Sequence, residues 1–315
     1  TMVMPAVWNK PSIQQPNIPK QVNFKDVLLS LIESLNLCSR EYKSRMYDGE
    51  VKGLSVVKPF VGKKSDVPSD ATVLRIDYES NRGAILAEGI NPWYSDLDTY
   101  DMTASVIDEA VRKIIAVGGD LKRIAILDNF CWPDPVESEK TPDGAYKLAQ
   151  LVRSCKALYD YTTLYKTPAI SGKDSCKNDS TRGGKKISIP PTLLISSIGQ
   201  INDVQKSVTV PFKSSGDLIY IIGKTKDELG ASAYYRLLAE EQRSPESYGG
   251  VVPKVDGDDA LNIYKAMNKA TELQLLNSST TPTKGGVALS IACLLYTSDA
   301  ADDMQCVDLG GRRII

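Results

Sequence analysis

The sequence contains no histidine among its 315 residues. Imidazole is the side chain whose ordinary pKa lies nearest neutral pH, so catalysis by an unperturbed histidine is excluded, as are histidine-containing zinc sites. The formal net charge is only −1, which gives no electrostatic reason to expect nucleic acid or an anionic membrane as a partner. Acid–base chemistry would therefore need Asp, Glu, Lys, Tyr or Cys, or a group supplied from elsewhere.

Long apolar runs and paired cysteines are also absent. No stretch approaches the ~20 consecutive apolar residues that cross a bilayer, and no signal peptide opens the sequence. The six cysteines form no CxxC pair, so we expect free thiols in a reducing cytoplasm. The composition, 42% hydrophobic and 24% charged, is ordinary for a soluble globular protein, and the length allows about two domains.

Strand and helix patterns alternate along the chain, which predicts a layered α/β fold with helices against one sheet. Ser105 and Asp108 have the spacing of a capping box and predict the start of the clearest helix. Thr225 is a candidate cap for a later helix. Strands are predicted at residues 54–57, 73–76, 83–87, 123–127, 193–198 and 218–222, and helices at 24–37, 105–117, 145–161, 258–276 and 287–295.

The stretch 170–179, with the sequence ISGKDSCKND, carries the densest set of chemical groups. The apolar residues before it predict a strand that ends in a turn at Gly172, which can adopt a backbone conformation closed to other residues and lets a ligand approach the main chain. Lys173 adds a cation, Ser175 a hydroxyl, and Asp174 a carboxylate for a hard cation. Such a turn suits a magnesium-bound phosphate, although an ordinary polar turn has a similar composition.

A second polar segment, residues 128–135 with the sequence DNFCWPDP, follows the predicted strand at 123–127. Two prolines and a tryptophan restrict this loop, so Asp128 and Asn129 are presented rigidly at a strand end. Rigid presentation of polar groups is typical of a preorganised site, and also of any well-packed loop.

Four further features have both a binding and a structural interpretation. Asp77 follows a predicted strand, where ligand-binding residues often lie in α/β folds. Glu109 and Lys113 stand one helical turn apart on the side predicted to be exposed, as a surface pair or with Glu109 as a metal ligand. The acidic loop 93–101 lines a cation site or is simply solvated. The glycines at 285–286 form an anion site at a helix start or allow close packing.

Taken in order, these segments resemble the synthetase subunit of phosphoribosylformylglycinamidine synthase, in the aminoimidazole-ribonucleotide-synthetase superfamily. The resemblance implies an ATP-dependent carbon–nitrogen ligase of cytoplasmic purine biosynthesis, with ATP and Mg²⁺ as cofactors. ATP activates the amide oxygen of formylglycinamide ribonucleotide, and ammonia from a glutaminase subunit or domain displaces phosphate. The matching segments are 49–53, 91–95, 124–135, 170–179 and 216–220.

The resemblance also implies a domain plan that corresponds to the second half of the synthetase. Residues 1–69 match the end of a preceding domain and a linker, 70–205 the second copy of the N-terminal α/β domain, and 206–294 the start of the C-terminal α/β domain. The family's catalytic histidine lies in the first half, so no catalytic residue is assigned here. Residues 295–315 interrupt the apolar pattern, and we expect them to be a foreign tail.

Individual site residues follow from the same resemblance. Asp128, Asn129 and Gly172 fall near the family's ATP contacts, and Ser175 matches a substrate-binding serine. Lys173 stands where many relatives carry asparagine near the metal, which favours a phosphate contact.

Larger relatives hold Mg²⁺ at an auxiliary nucleotide site, through carboxylates that Asp77 and Glu109 match. Lys113 stands where those relatives carry an amide ligand, and Lys284 lies in a loop where some carry an acidic residue and a histidine. The departure at Lys113 counts against retention of the auxiliary site.

Two functions of different class remain open. In the first, the chain contributes ATP and substrate contacts to the shared active site of a ligase. In the second, it is a catalytically incomplete nucleotide-binding or structural half-module of that enzyme or of another superfamily member. Because pseudo-symmetric halves bury their sheet faces against each other, we expect this chain to expose a large apolar surface and to self-associate.

Overall fold

The protein is described by a computed structural model that covers residues 3–20, 22–47 and 50–295. The predicted foreign tail lies outside these residues, apart from Leu295. The strands of the described part are β1 Ser55–Val57, β2 Phe60–Val61, β3 Val67–Pro68, β4 Thr72–Arg75, β5 Gly83–Ile90, β6 Ile124–Cys131, β7 Ala169–Ser175, β8 Asp179–Arg182, β9 Lys185–Ser188 and β10 Thr192–Ile201. Its helices are α1 Phe24–Glu33, α2 Glu41–Arg45, α3 Thr99–Ala116, α4 Gly144–Tyr165, α5 Ala233–Glu241, α6 Gly257–Glu272 and α7 Gly286–Leu295.

A six-stranded sheet with the order β1-β4-β5-β10-β6-β7 forms the centre of the fold. Every neighbouring pair is antiparallel except β6 and β7, which run parallel. A parallel pair needs a crossover connection, and α4 supplies it between these two strands. The expected α/β class is therefore confirmed. Within the described part of the chain, no helix is long and apolar enough to span a membrane.

The main hydrophobic core lies between the sheet and α3. The helix buries Met102, Val106 and Ile114 completely, and Ile85 and Ile195 meet them from the sheet. Burial of one such side chain is worth about 1.5–3 kcal/mol relative to exposure. The 3.6-residue apolar period of α3 thus positions both the sheet and the polar groups at its edges.

The α3 helix begins six residues before its predicted start. Asp98 caps it by accepting hydrogen bonds from the backbone N–H groups of Tyr100 and Asp101, at 2.8 and 3.3 Å. Arg153 of α4 donates to the same carboxylate at 2.7 Å. Ser105 lies inside the helix, so the capping-box prediction is wrong. The acidic loop is therefore ordered by its own aspartate instead of being solvated.

Residues 218–222 were predicted to form a strand but have no strand neighbour among the described residues. These residues are exposed, and Leu218 is 77% exposed. A strand needs a neighbour for its backbone hydrogen bonds, so this apolar run does not form one. The helix expected to begin near Thr225 starts instead at α5, where Ser232 accepts a hydrogen bond from the Tyr235 N–H. Both predictions are wrong.

A buried polar network joins three helices beside the core. The Asp108 carboxylate of α3 accepts hydrogen bonds from Tyr165 of α4, at 2.8 Å, and from Tyr264 of α6. Arg112 lies 3.4 Å from the other carboxylate oxygen. Burial and the negative charge of Asp108 raise the pKa of both tyrosines, so both remain neutral donors. This network fixes α6 against α3 and α4.

Candidate functional site

The parallel pairing of β6 and β7 brings the two sequence motifs side by side. In this register Asp128 pairs with Gly172, Asn129 with Lys173, and Cys131 with Ser175. The strand β7 continues through the motif to Ser175, so the predicted turn at Gly172 is wrong. Pairing with β6 keeps these residues extended. The motifs lie more than forty positions apart in the sequence, and their meeting is a property of the fold.

Gly172 lies directly against the Asp128 carboxylate. A Cβ atom at this position would lie 2.6 Å from Asp128 Oδ1, closer than non-bonded atoms approach. Gly172 does not have positive φ, so the left-handed backbone conformation invoked from the sequence is not the reason for the glycine. Glycine is needed because it leaves room for a side chain on the neighbouring strand.

Asp128 and Asp174 place two carboxylates on the face of β6 and β7 that points towards α4. Burial raises the pKa of Asp128, and the negative charge of Asp174 raises it further. Burial and the same two carboxylates raise the pKa of the Cys155 thiol on α4. No local sequence pattern connects Cys155 with these carboxylates, because only the register of α4 over the strand pair puts it there. A cation at this place would relieve the repulsion.

The opposite face of the same strands carries the remaining predicted groups. Side chains alternate between the faces of a strand, so Asn129, Lys173 and Ser175 lie together. Lys173 Nζ donates to Ser175 Oγ at 2.6 Å, which leaves the Ser175 hydroxyl proton free for another acceptor. Lys173 is exposed and can meet an anionic group. The predicted site is therefore divided between the two faces of the edge of the sheet.

The loops after the two strands are held to each other. The Trp132 N–H donates to the Ser175 carbonyl at 2.7 Å, and the Asn178 N–H donates to the Trp132 carbonyl at 3.0 Å. Trp132 is fully buried, and its indole N–H donates to the Lys147 carbonyl of α4 at 3.1 Å. These bonds fix Ser175 at the end of β7. Asp128 and Asn129 were expected in a loop after a strand that ends at residue 127, but β6 continues to Cys131 and contains both, so that prediction is wrong.

Acidic and basic residues continue this site beyond the strand ends. The Asp134 N–H donates to Asp179 at 3.1 Å, and Lys186 lies 3.4 Å from Asp179. Burial acts to raise the pKa of Asp179, but hydrogen bonds from Ser188 and the Asp134 N–H, together with the Lys186 charge, hold it below its usual range. Asp179 is therefore ionised and anchors the hairpin β8–β9 beside the site.

Asp77 and Glu109 are not brought together. Asp77 is exposed in the turn before β5, whereas Lys113, which pairs with Glu109, donates to the Glu88 carbonyl near the other end of that strand. The five residue steps from Gly83 to Glu88 span about 17 Å in a strand. Glu109 and Lys113 are also largely buried, at 8% and 15%, and not on an exposed side as expected.

Asp70 shares two charged neighbours on α3, Arg112 and Lys113, with Glu109. It accepts a hydrogen bond from the Thr281 N–H at 3.0 Å, and Lys113 and Arg112 act on its charge. Burial raises the pKa of Asp70 despite these contacts. No sequence signal singled out this residue, because its partners come from a helix and a distant loop.

Comparisons with known proteins place the chain in a family. No family model matches it. It is 32% identical over 277 residues to the phosphoribosylformylglycinamidine synthase subunit PurL of Methanocaldococcus jannaschii, a match that covers 87% of this chain and 34% of that protein. The PurL of Thermococcus sibiricus is 30% identical over 271 residues, covering 86% of this chain and 34% of the relative. The chain spans about one third of the length of the curated relatives it matches.

Solved structures show a similar relationship. The PurL of Thermotoga maritima complexed with AMPPCP has 29% sequence identity and a TM-score of 0.41, and the alignment covers 67% of this chain and 30% of that one. The same protein complexed with FGAR gives 20% identity and a TM-score of 0.44 over 85% and 33% of the two chains. The superpositions are partial, and the family relationship rests on the sequence match.

Proposed function

We propose that this chain, which belongs to the PurL family of phosphoribosylformylglycinamidine synthase subunits and spans about one third of their length, supplies ATP and substrate contacts to an ATP-dependent carbon–nitrogen ligase. The reaction converts formylglycinamide ribonucleotide to formylglycinamidine ribonucleotide in the cytoplasm. One observation carries the proposal. The segments 128–135 and 170–179 are adjacent on a parallel strand pair and present carboxylates, a lysine and a serine at its end.

The two faces of the edge strand carry groups for two parts of one reaction. Asp128, Gly172 and Asp174 lie on one face of the strand pair, and Asn129, Lys173 and Ser175 lie on the other. Ser175 is assigned to the substrate, and the other five residues are assigned to the magnesium nucleotide. Because β7 is the edge strand, the groups on both of its faces lie beside the same open edge of the sheet. We assign Lys173 to neutralising the charge of a phosphoryl group there.

The carboxylate pair would supply only part of the ligands of a magnesium ion. Mg²⁺ is commonly held by one or two carboxylates together with substrate phosphates, and Asp128 and Asp174 provide such a pair. Among the described residues no group of three acidic, cysteine or histidine side chains could hold a metal without further ligands. When bound, the ion would neutralise developing phosphate charge. The carboxylates themselves would hold it and lose their mutual repulsion.

Phosphoryl transfer needs positioning and charge neutralisation more than proton transfer from the protein. The chain has no histidine, so acid–base groups are assigned to the first half of the synthetase. Ammonia is assigned to a glutaminase partner. A Thermotoga maritima structure that bears the name PurLQS is consistent with a PurL that works within an assembly.

Substitution of Ser175 in an intact synthetase that contains this chain tests the proposal. We expect Ser175→Ala to lower kcat/KM about 10–100-fold, because the hydroxyl at the end of β7 contacts the substrate. Ser171→Ala is the matched control, since Ser171 lies on the same face two positions before Lys173. An unchanged kcat/KM for the Ser175 variant would count against the assignment.

A second candidate function is a half-module without turnover of its own. The unpaired segment 218–222 favours it, because an apolar run of this kind needs a neighbouring strand that the described residues do not provide. Steady-state assays with ATP, formylglycinamide ribonucleotide and ammonia distinguish the two candidates. Turnover by this chain alone would exclude the half-module.

A further inference from the structure

Glu109 lies in the interior with an ammonium group beside it. Lys113 Nζ lies 2.8 Å from Glu109 Oε1 and donates to the Glu88 carbonyl at 2.9 Å. Residues one helical turn apart on α3 form this pair, as the sequence spacing allows. This ion pair differs from pairs at the surface because it is buried, so little water screens the attraction between its two charges.

A second lysine approaches the same carboxylate from the loop before α7. Lys284 is half-buried, and burial lowers the pKa of its ammonium group, while the negative charge of Glu109 opposes that shift. The same loop is anchored where the Thr281 N–H donates to Asp70. Arg112 faces the charges of both Asp70 and Glu109. We call the group formed by Asp70, Glu109, Arg112, Lys113 and Lys284 the Glu109 cluster.

The Glu109 cluster does not fit the magnesium ion that the resemblance assigns to an auxiliary nucleotide site. A magnesium ion needs about six oxygen ligands at close to 2.1 Å. Lys113 already occupies the Glu109 carboxylate and the Glu88 carbonyl, and Asp77 lies at the far end of β5. No trio of metal-binding side chains exists here within the described ranges.

We infer that the Lys113 ammonium group takes the place of a divalent cation at Glu109. Arg112 and Lys284 add positive charge beside Asp70 and Glu109. The link from α3 to the loop before α7 is then built into the chain and needs no magnesium nucleotide. This inference concerns a different place from the proposed active site and does not depend on it.

Binding of Mn²⁺ to the full chain tests the inference, with Mn²⁺ as a probe for Mg²⁺. We expect Glu109→Gln to leave the number of bound Mn²⁺ ions and their Kd unchanged within about twofold. Glu246→Gln, at an exposed position, is the control. Loss of a Mn²⁺ site in Glu109→Gln, with no loss in the control, would overturn the inference.

A gain-of-function variant gives an independent readout. Lys113→Asn with Lys284→Asp removes both ammonium groups and adds oxygen ligands beside Asp70 and Glu109. We expect this double variant to gain one Mn²⁺ site and to show a Mn²⁺-dependent rise in Tm of several degrees. The wild type should show no rise in Tm from Mn²⁺ binding at the Glu109 cluster. If the variant folds only with Mn²⁺, the inference is also supported. A folded variant without a new site would contradict it.

Discussion

Gly172 and Asp128 show how one missing Cβ atom positions a charged group. We predict that Gly172→Ala displaces the Asp128 carboxylate, because the added methyl would lie 2.6 Å from Oδ1. Nucleotide affinity should fall at least tenfold, while Tm changes little because β7 is an exposed edge strand. Calorimetric titration and thermal unfolding separate the two effects. Ser171→Ala is the control, and equal nucleotide affinity in both variants would contradict this role.

Asp101, in the first turn of α3, should make stability depend on pH. Burial and the negative charge of Asp98 raise its pKa to about 6, against about 3.9 in an unfolded chain. The folded state therefore binds more protons between these values, and the contribution of this group to stability falls as pH rises from about 4 to about 6.

The Asp101→Asn substitution removes this titration. We expect the variant to be about 1–2 kcal/mol more stable than the wild type at pH 7 and to show little difference at pH 4, after allowance for partial exposure. Urea unfolding at the two pH values measures the free energy of unfolding. A difference that is the same at both values would show that Asp101 does not titrate in this window.

At the scale of single residues, the sequence indicates which side chains carry chemical groups better than it indicates what packs around them. It singled out Asp128, Gly172 and Ser175 from two local motifs, but the pairing of β6 with β7 that joins the motifs is a property of the fold. It missed Asp70 and Cys155, and it placed Glu109 and Lys113 on an exposed side. These four depend on which helix or loop packs beside them, and no short-range pattern records that choice.

At the scale of elements, most of the sheet and helices follow from apolar periodicity. The main errors arise where one local signal competes with another. Asp98 caps α3 ahead of Ser105, because its carboxylate also binds Arg153 of a different helix. Residues 218–222 have the composition of a strand but lack a partner, and composition alone cannot supply one.

Hydrogen exchange tests the account of residues 218–222. We predict that their amide protons exchange without measurable protection, because no described strand accepts them. The amides of 193–198, in the centre of β10 between two neighbours, should be protected by at least a thousandfold. Comparable protection of the two segments would mean that 218–222 are paired in solution.

At the scale of the whole molecule, the face of the sheet away from α3 carries part of the expected apolar surface. Leu86 of β5 pairs directly with Ile198 of β10, and they are 47% and 40% exposed. Adjacent exposed aliphatic side chains on a flat sheet favour contact with another protein surface.

Self-association through this face is the expected consequence. We predict that the chain forms dimers or larger species at micromolar concentration and that Ile198→Lys shifts it towards the monomer. Val152→Lys is the control, because Val152 is exposed on α4, which covers the other face. Sedimentation velocity measures the distribution. A monomeric wild type, or an equal effect of both substitutions, would contradict the prediction.

The most direct measurement of the central claim is calorimetric titration of Mg-ATP into this chain, beside an Asp128→Ala, Ser175→Ala double variant. The account predicts binding by the wild type that the double variant loses, because Asp128 and Ser175 lie on the strand pair that joins the two motifs. Binding that the double variant retains, or no binding by a sample shown to be folded, would contradict a nucleotide site at this edge of the sheet.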